Sequence, residues 1–459
     1  MRSLAVIGPN ADRAEIMGGG SASLRPHYRI TPLQAIRAHL GDRVTIRHER
    51  GCDTARTTRP LGATQLSTPD GAPGLAVEFF ADPDLAGAVV HRCVSPESHL
   101  LFFGEPAPDV PAETFSFRAT GRFTPLDAGP HTFTLVQAGR ARVLVDGEVL
   151  LDGVSDPPPP GQALSGLGSE EIAATVELVA GRPYQLVIEY SSRHTTVLRG
   201  VKVGCRLPSP DDLLDRAVVA AAAADAAVLL VGTSQEWESE GHDREAMDLP
   251  GNQDALVTRV VAANPNTVVV VNAGSPVTMG WGSEAPAILQ IWFGGQEMAN
   301  ALVDVLIGAS EPAGRLPTTF PIRLEHNPSY GNFPGENGQI RYGEGVLVGY
   351  RWYEARRLPV RFPFGHGLSY TTFTIGEPRL SSSELLRGAT LAIDVPVTNT
   401  GRRRGAEVVQ CYVAPPSSRV VRPPGRAATY RAAPGRESDR VAERHRGQAS
   451  GERNRGTGG

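Results

Sequence analysis

A run of alternating carboxylates, EWESEGHDRE at residues 236–245, places glutamates at every second position before a histidine, an aspartate and an arginine. We call residues 236–245 the acidic loop. A glutamate set against apolar walls acquires a raised pKa and can protonate a leaving oxygen, which is general acid–base catalysis. The side chains that could take part are Glu236, Glu238, Glu240, His242, Asp243, Arg244 and Glu245.

Two other interpretations of the acidic loop stay open on residue types alone. Carboxylates at positions i, i+2 and i+4 with one histidine match no standard ligand spacing for zinc or calcium, so the pattern does not favour a metal site. A purely structural loop is the other possibility: its carboxylates are solvated, while Asp243 and Arg244 cap the helix that follows. Composition does not choose among the three.

The segments on either side place the acidic loop at the edge of a sheet. The run AVLLVG at 227–232 is continuously apolar, as in a strand of a parallel sheet that is buried on both faces. The run LPGNQDALVTRVVAANP at 249–265 predicts an amphipathic helix that ends at Asn264 and Pro265. The acidic loop therefore leaves the carboxyl end of a strand, where open α/β sheets bind ligands.

Strand and helix patterns alternate in two separate parts of the chain. Residues 1–60 begin with the strand pattern SLAVIGP, and Thr31 followed by Pro32 predicts the N-cap and first residue of a helix. The alternation returns at 209 and includes TVVVVNAG and APAILQIWFGG. We predict one α/β domain with an open, mostly parallel sheet that is interrupted by an insert.

The insert has a different sequence pattern, in which short runs of alternating apolar and polar residues are separated by turns of Gly, Pro and Asp. Asp146 and Gly147 predict a tight turn between two strands. These signals indicate an antiparallel β-sandwich that enters through an exposed linker at 61–73. The predicted segments are the α/β domain at 1–65 and 209–325, the sandwich insert at 71–208, a connecting segment at 326–373, an unfinished β-sandwich at 374–416, and a disordered Arg-rich tail at 417–459.

The composition of the chain limits which partners and which cellular compartment we expect. A formal net charge of −4 over 459 residues gives no case for nucleic acid or an anionic membrane as a partner. The four cysteines are far apart and form no CxxC pair, so we expect free thiols. The N-terminus lacks the apolar stretch of a signal peptide and no run is long enough for a membrane helix, so we expect a cytoplasmic protein.

The glycine-rich run MGGGSA at 17–22 could suggest a phosphate-binding loop, but it lacks the GxGxxG spacing and the Gly-Lys-Ser/Thr end of a P-loop. We therefore expect its glycines to let the backbone come close to a neighbouring domain or to a sugar.

The order of the motifs resembles the C-terminal half of a family 3 glycoside hydrolase of the β-glucosidase type. The insert, especially residues 112–153, resembles the protective-antigen-type (PA-14) β-sandwich that some members carry, and 374–416 resembles the start of their fibronectin type III-like domain. The motifs that carry the likeness are IGPNAD, MGGGSA, TPLQAI, ESEGHDREAMDLPGNQDALV, NPNTVVVVNAGSPV, WFGGQE, GRLPTTFP, RYGEGVLVGYRWYE and FPFGHGLSYTTF.

The resemblance implies a retaining glycosidase that needs no cofactor or metal and acts on a β-glucoside or oligosaccharide. In this mechanism a nucleophilic aspartate on an N-terminal (β/α)₈ barrel attacks the sugar, while a glutamate of the C-terminal α/β domain serves as acid and base. In members that carry this insert, the acid/base directly precedes Gly-X-Asp-Arg, which corresponds to Glu240. Glu236 and Glu238 are the next candidates, because the length of the loop varies across the family.

The family pattern also suggests how the acidic loop is held. His242, Asp243 and Arg244 would position it, with Arg244 paired to a carboxylate and so limiting the rise of the pKa of Glu240.

The chain departs from the family pattern at its start. It begins where the second domain should begin, so we expect no barrel and no nucleophile in this chain. This departure is what we expect of a truncated gene product, or of one part of a split enzyme whose barrel is a separate chain. A non-catalytic carbohydrate-binding or scaffold protein, in which the insert binds the ligand, is the alternative. The sequence assigns no oligomeric state.

Overall fold

A computed structural model describes residues 1–161, 163–164, 166–195, 197–206, 212–241, 243–384, 388–412, 427–432 and 437–438. The chain forms two compact units: the first is Met1–Asn300, and the second begins at Ala301. Within the described ranges, no helix is long and apolar enough to cross a membrane.

Strands predominate in the first unit. Its helices are α1 (Pro32–Leu40), α2 (Leu213–Ala222), α3 (Gln253–Ala263) and the start of α4 (Met298–Leu306). Its strands are β1 (Ser3–Ile7), β2 (Thr45–Glu49), β3 (Leu66–Ser67), β4 (Leu75–Phe80), β5 (Val89–Ser95), β6 (His99–Phe102), β7 (Ser116–Phe123), β8 (Gly129–Ala138), β9 (Arg140–Val145), β10 (Glu148–Asp152), β11 (Ile172–Leu178), β12 (Tyr184–Ser191), β13 (Arg199–Arg206), β14 (Ala226–Gly232), β15 (Thr267–Asn272) and β16 (Ala287–Gln290).

A five-stranded parallel sheet has the order β16-β15-β14-β1-β2. Its central strands consist mainly of Val, Ile, Leu and Ala, and most of these side chains are buried, as the continuous apolar runs predict. Thr31 caps α1 as expected, since its hydroxyl accepts from the Gln34 backbone N–H while the Gln34 side chain accepts from the N–H of Thr31.

Two antiparallel sheets lie in sequence between β2 and β14. One contains β10-β9-β12-β7-β4-β5 with β3 paired to β7, and the other contains β11-β8-β13-β6. Asp146 and Gly147 turn the chain between β9 and β10 with φ angles of 50° and 85°, as the sequence predicts. One hydrophobic core is shared by these strands, and its fully buried members include Phe115, Phe117, Phe133, Leu135 and Ile188. The chain thus combines a parallel sheet with several antiparallel sheets.

The segment expected to be an exposed linker, 61–73, is partly sheet. Leu61 and Leu66 are buried in the core of the antiparallel sheets, and Leu66 pairs with Phe123 of β7. These apolar side chains find more contact in the core than they would in solvent, so the linker joins the sheet.

The second unit is built from short elements. These are β17 (Phe320–Pro321), α5 (Tyr350–Arg356), β18 (Val360–Phe362), β19 (Phe373–Ile375), β20 (Arg379–Leu380), β21 (Ile393–Asp394), β22 (Val397–Asn399), β23 (Gly405–Gln410), β24 (Ala427–Ala432) and β25 (Glu437–Ser438). Strand β24 pairs with β23, and β25 pairs with β22. The other residues of the predicted tail at 417–459 lie outside the described residues.

All four cysteines lie in the described part of the chain and are free thiols, as expected. Burial raises the pKa of both Cys52 and Cys205 to about 12. The thiolate is the reactive form, so these two side chains are chemically quiet.

A buried pair of amides joins the carboxyl ends of the parallel strands. Asn272, the last residue of β15, accepts from the Asn10 side chain at 3.0 Å and donates to the backbone oxygens of Trp292 at 2.6 Å and Glu15 at 3.1 Å. Asn10 also donates to the backbone oxygen of Thr233 at 3.0 Å. We call Asn10 and Asn272 the amide pair. It satisfies carbonyl groups where strands end and loops begin.

Replacing Asn272 by alanine is expected to lower the free energy of unfolding of the first unit by about 2–4 kcal/mol, because buried carbonyls and the Asn10 amide lose their partner. Urea unfolding measures this change. Asn252→Ala is the matched control, since this exposed N-cap makes no side-chain capping bond. Equal stability of the two variants would contradict the role given to the amide pair.

Candidate functional site

The acidic loop follows β14 and lies beside the ends of β1 and β15. Glu238 is held at this place by three donors: the hydroxyl of Thr233 at 2.5 Å, the backbone N–H of Gly274 at 3.0 Å and the hydroxyl of Ser275 at 3.0 Å. Its side chain is 13% exposed. A carboxylate with this many internal donors anchors the loop, because each hydrogen bond holds the side chain in one position.

Arg244 lies next to Glu238, with 3.9 Å between the guanidinium and the carboxylate. It also donates to the Ser275 hydroxyl at 2.9 Å and to the backbone oxygen of Asp248 at 3.3 Å. Burial lowers the pKa of Arg244, and the charges of Glu238 and Asp248 oppose this effect. The expected pairing with a carboxylate is therefore present, and the partner is Glu238.

The helix-capping role that the structural alternative gives to Asp243 and Arg244 is wrong. Helix α3 begins at Gln253, and its N-cap residue is Asn252. Asp243 is exposed on the loop, well before the helix in sequence. His242, the remaining residue expected to position the loop, lies outside the described residues.

Glu236 joins the acidic loop to the segment that leads into the antiparallel sheets. Its carboxylate accepts from the backbone N–H of Arg56 at 3.0 Å and from the hydroxyl of Thr57 at 3.2 Å. The neighbouring Trp237 donates its indole N–H to the backbone oxygen of Thr54 at 2.6 Å. Two consecutive residues of the loop are thus fixed to residues that lie about 180 positions earlier in the chain.

Glu240 differs from the other two glutamates. It is exposed, and among the described residues its hydrogen-bond partner is the hydroxyl of Ser21. A single hydroxyl donor leaves acceptor positions of this carboxylate open to solvent or to a ligand.

The glycine-rich segment, Gly18 to Gly20, lies directly against the acidic loop. The Gly19 N–H donates to the backbone oxygen of Glu238 at 2.9 Å. A Cβ atom at Gly19 would lie 2.5 Å from the backbone oxygen of Gln235, and one at Gly20 would lie 2.8 Å from Cγ of Glu240. The glycines therefore allow a close backbone approach to the acidic loop. The expected approach to a neighbouring domain or to a sugar stays a prediction.

Several contributors were not singled out by sequence reasoning. Ser21, Thr233 and Ser275 supply hydroxyl donors, and each follows a predicted strand or lies in a quoted motif. Because the carboxyl ends of parallel strands meet at one edge, that rule could have identified Thr233 and Ser275. Glu15 gave no such signal; burial raises its pKa, and the charges of Arg13 and Arg59 oppose the rise.

No group of three or more His, Cys, Asp or Glu side chains in the described part of the chain is arranged to hold a metal ion.

Comparisons with known proteins give one consistent answer. A model of the glycosyl hydrolase family 3 C-terminal domain matches residues 1–370. A beta-glucosidase of Rhizobium radiobacter is 40% identical over 92% of this chain and 51% of its own length. A probable beta-glucosidase I of Aspergillus terreus is 40% identical over 92% of this chain and 52% of its own length.

A solved structure agrees with these sequence relatives. The beta-glucosidase of Kluyveromyces marxianus, crystallised with glucose, has a TM-score of 0.85 and 34% identity, and the match covers 95% of this chain and 53% of that one. The chain thus spans about half the length of the relatives it matches.

Gly19→Ala is expected to push the acidic loop away, because the new Cβ meets a backbone oxygen that cannot move alone. The expected loss is about 1–3 kcal/mol of unfolding free energy, measured by urea titration. Gly104→Ala is the control, since a Cβ there meets nothing within 4 Å. If both variants are equally stable, the close packing of the glycine segment on the loop is wrong.

Proposed function

This chain belongs to glycosyl hydrolase family 3, and on that premise we propose that it supplies the general acid/base of a retaining β-glucosidase, with Glu240 in that role. One observation carries the assignment: of the three alternating glutamates, Glu240 alone is exposed. Its one partner among the described residues is the Ser21 hydroxyl. An acid/base must reach the glycosidic oxygen and exchange its proton with water, which requires an accessible carboxyl group.

The next candidates, Glu236 and Glu238, are suited to a different task. Each accepts hydrogen bonds from two or more internal donors, and each holds the loop to another part of the first unit. Their carboxylate oxygens are occupied by these donors, whereas a general acid must be free to reach the glycosidic oxygen. We therefore assign both to positioning, together with Arg244 through its contact with Glu238.

The proposed reaction has two steps. In the first, the carboxyl group of Glu240 gives its proton to the glycosidic oxygen while a nucleophilic aspartate forms a bond to the anomeric carbon and the aglycone leaves. In the second, the Glu240 carboxylate removes a proton from water, whose oxygen attacks the anomeric carbon and breaks the glycosyl–aspartate bond. The sugar leaves with retained configuration, and both side chains return to their starting states.

The nucleophile belongs, in this proposal, to a (β/α)₈ barrel, and we assign no aspartate of this chain to it. The two carboxyl groups of a retaining enzyme stand about 5–5.5 Å apart. The barrel must therefore bring its aspartate to the carboxyl edge of the sheet, from which the acidic loop emerges. The proposed substrate is a β-glucoside or an oligosaccharide, which agrees with the names of the relatives.

We also propose identities for the two antiparallel regions. The paired sheets between β2 and β14 fit a protective-antigen-type insert, since they have their own core and leave the parallel sheet continuous. The strands from β19 to β23 fit the beginning of a fibronectin type III-like domain. Residues 326–373 would be the segment that connects this domain to the α/β domain.

The proposal is tested by mixing this chain with a separately expressed barrel from the Rhizobium radiobacter relative and following hydrolysis of an aryl β-glucoside. We expect activity in the mixture and a loss of about 10²–10⁴-fold on Glu240→Ala. Azide should partly restore that variant, because it attacks the glycosyl–enzyme without needing a base.

Glu245→Ala is the matched control, since Glu245 is an exposed glutamate of the same loop. It should keep the activity of the parent mixture. Full activity of Glu240→Ala would transfer the role to another residue. A folded chain that is inactive in every mixture would instead favour the non-catalytic alternative.

A further inference from the structure

Lys202 is the one lysine in this chain, among 45 lysine and arginine residues. It lies in β13 of the antiparallel insert, and its side chain is only 10% exposed. Lysine carries a compact ammonium group, whereas arginine carries a wide planar fork, so the two are not interchangeable in a confined space. A chain whose other cationic side chains of this kind are all arginines thus has its one lysine at a site with little exposure to solvent.

The ammonium group of Lys202 faces the acidic loop. Its Nζ donates to the hydroxyl of Thr57 and lies 3.9 Å from Oε1 of Glu236. The same Thr57 hydroxyl donates to Glu236 at 3.2 Å. The hydroxyl therefore accepts from one charged group and donates to the other, which joins strand β13 to the loop in a single hydrogen-bonded chain.

The segment between them is held from the other side as well. Thr58 donates its backbone N–H and its hydroxyl to Glu171, at 2.7 and 3.1 Å, just before β11. The segment 54–58 thus lies between two strands of the insert and the acidic loop.

The charge of Lys202 and the charges of the side chains around it affect one another. Burial lowers the pKa of Lys202, while the charges of Glu236 and Glu171 raise it. His99, paired with Lys202 across β6 and β13, has its own pKa lowered by burial and by the Lys202 charge. A buried charge without its partner is costly, so Lys202 and Glu236 each depend on the other.

We propose that Lys202 is a positioning residue for the acidic loop: through Thr57 and Glu236 it fixes the inserted sandwich to the loop that carries Glu240. The insert then contributes to the site as a support for the loop, independently of any sugar it binds. This support matters for catalysis only through the proposed role of Glu240. The contact between Lys202, Thr57 and Glu236 does not depend on that role.

Hydrogen exchange of the whole chain tests the proposal with Lys202→Met. We expect the amides of residues 234–241 to exchange about tenfold faster or more, since the hydrogen bonds to a charged group are lost. Helix α3 should exchange as in the parent chain. Arg92→Met is the matched control: it removes a cation from β5 of the same insert, where Arg92 is exposed and pairs with Glu78. Unchanged exchange at 234–241 would overturn the proposal.

Glu236→Gln supplies a second test that leaves the insert unaltered. With lysine labelled at ¹³Cε, the folded chain gives one lysine resonance, whose pH titration reports the ammonium group of Lys202. Because the Glu236 charge raises that pKa, the substitution should lower it and should accelerate exchange of the loop. Glu284→Gln, at an exposed glutamate, should change neither property. An unmoved lysine titration in Glu236→Gln would exclude the contact.

Failure of this proposal can be told apart from failure of the proposed function. Exchange and lysine titration are measured on the chain alone and need no turnover. If Glu240→Ala proves harmless in the mixture while Lys202→Met loosens the loop, the function is wrong and the support remains. If the loop is unaffected but Glu240→Ala is inactive, the reverse holds.

Discussion

The arrangement at the end of the parallel sheet depends on the amide pair. A parallel sheet that is buried on both faces brings several chain ends together at one edge, and their carbonyl groups must find donors there. Asn272 and Asn10 supply these donors to Thr233, Glu15 and Trp292, each of which begins or belongs to a loop. Trp292 has a φ of 54°, which is uncommon for a bulky residue and requires support from its surroundings. The loops at this edge of the sheet therefore begin at backbone positions that the amide pair holds in place.

From these points the three glutamates take different partners despite their regular spacing. Glu238 contacts the chain just after β15, Glu236 contacts residues 56 and 57, and Glu240 accepts from Ser21, directly after the glycine segment. The regular spacing supplies the loop with several carboxylates. Which of them are fixed by internal hydrogen bonds depends on the residues that lie next to each one. An acidic loop with two anchored carboxylates and one exposed carboxylate can keep its shape while one group changes its protonation.

Much of this fold could be predicted from the sequence, because its signals are local. Continuous Val and Leu runs identify the parallel strands, Thr31 with Pro32 identifies the start of α1, and Asp146 with Gly147 identifies a turn. Strand β3 at Leu66–Ser67 was not predicted, because residues 61–73 have the Gly, Pro, Ser and Thr content of an exposed linker. The partners of the glutamates could not be predicted from the sequence either. Thr57 and Ser21 lie more than 170 residues away from them along the chain, and only the sheet topology brings them close. The roles of His242, Asp243 and Glu240 rest on resemblance and remain predictions.

The position of the insert has a consequence for the order in which the protein can assemble. Strand β1 lies between β2 and β14, so one of its neighbours is synthesised soon after it, and the other follows more than 200 residues later. All strands of the two antiparallel sheets between β2 and β14 leave the ribosome before β14 does, and most of them contribute to one hydrophobic core. The nascent chain can therefore complete the insert while β1 still exposes an unpaired edge. Closing that edge is a long-range and intrinsically slow step, so this edge of β1 stays open to wrong strand pairing until β14 has been synthesised.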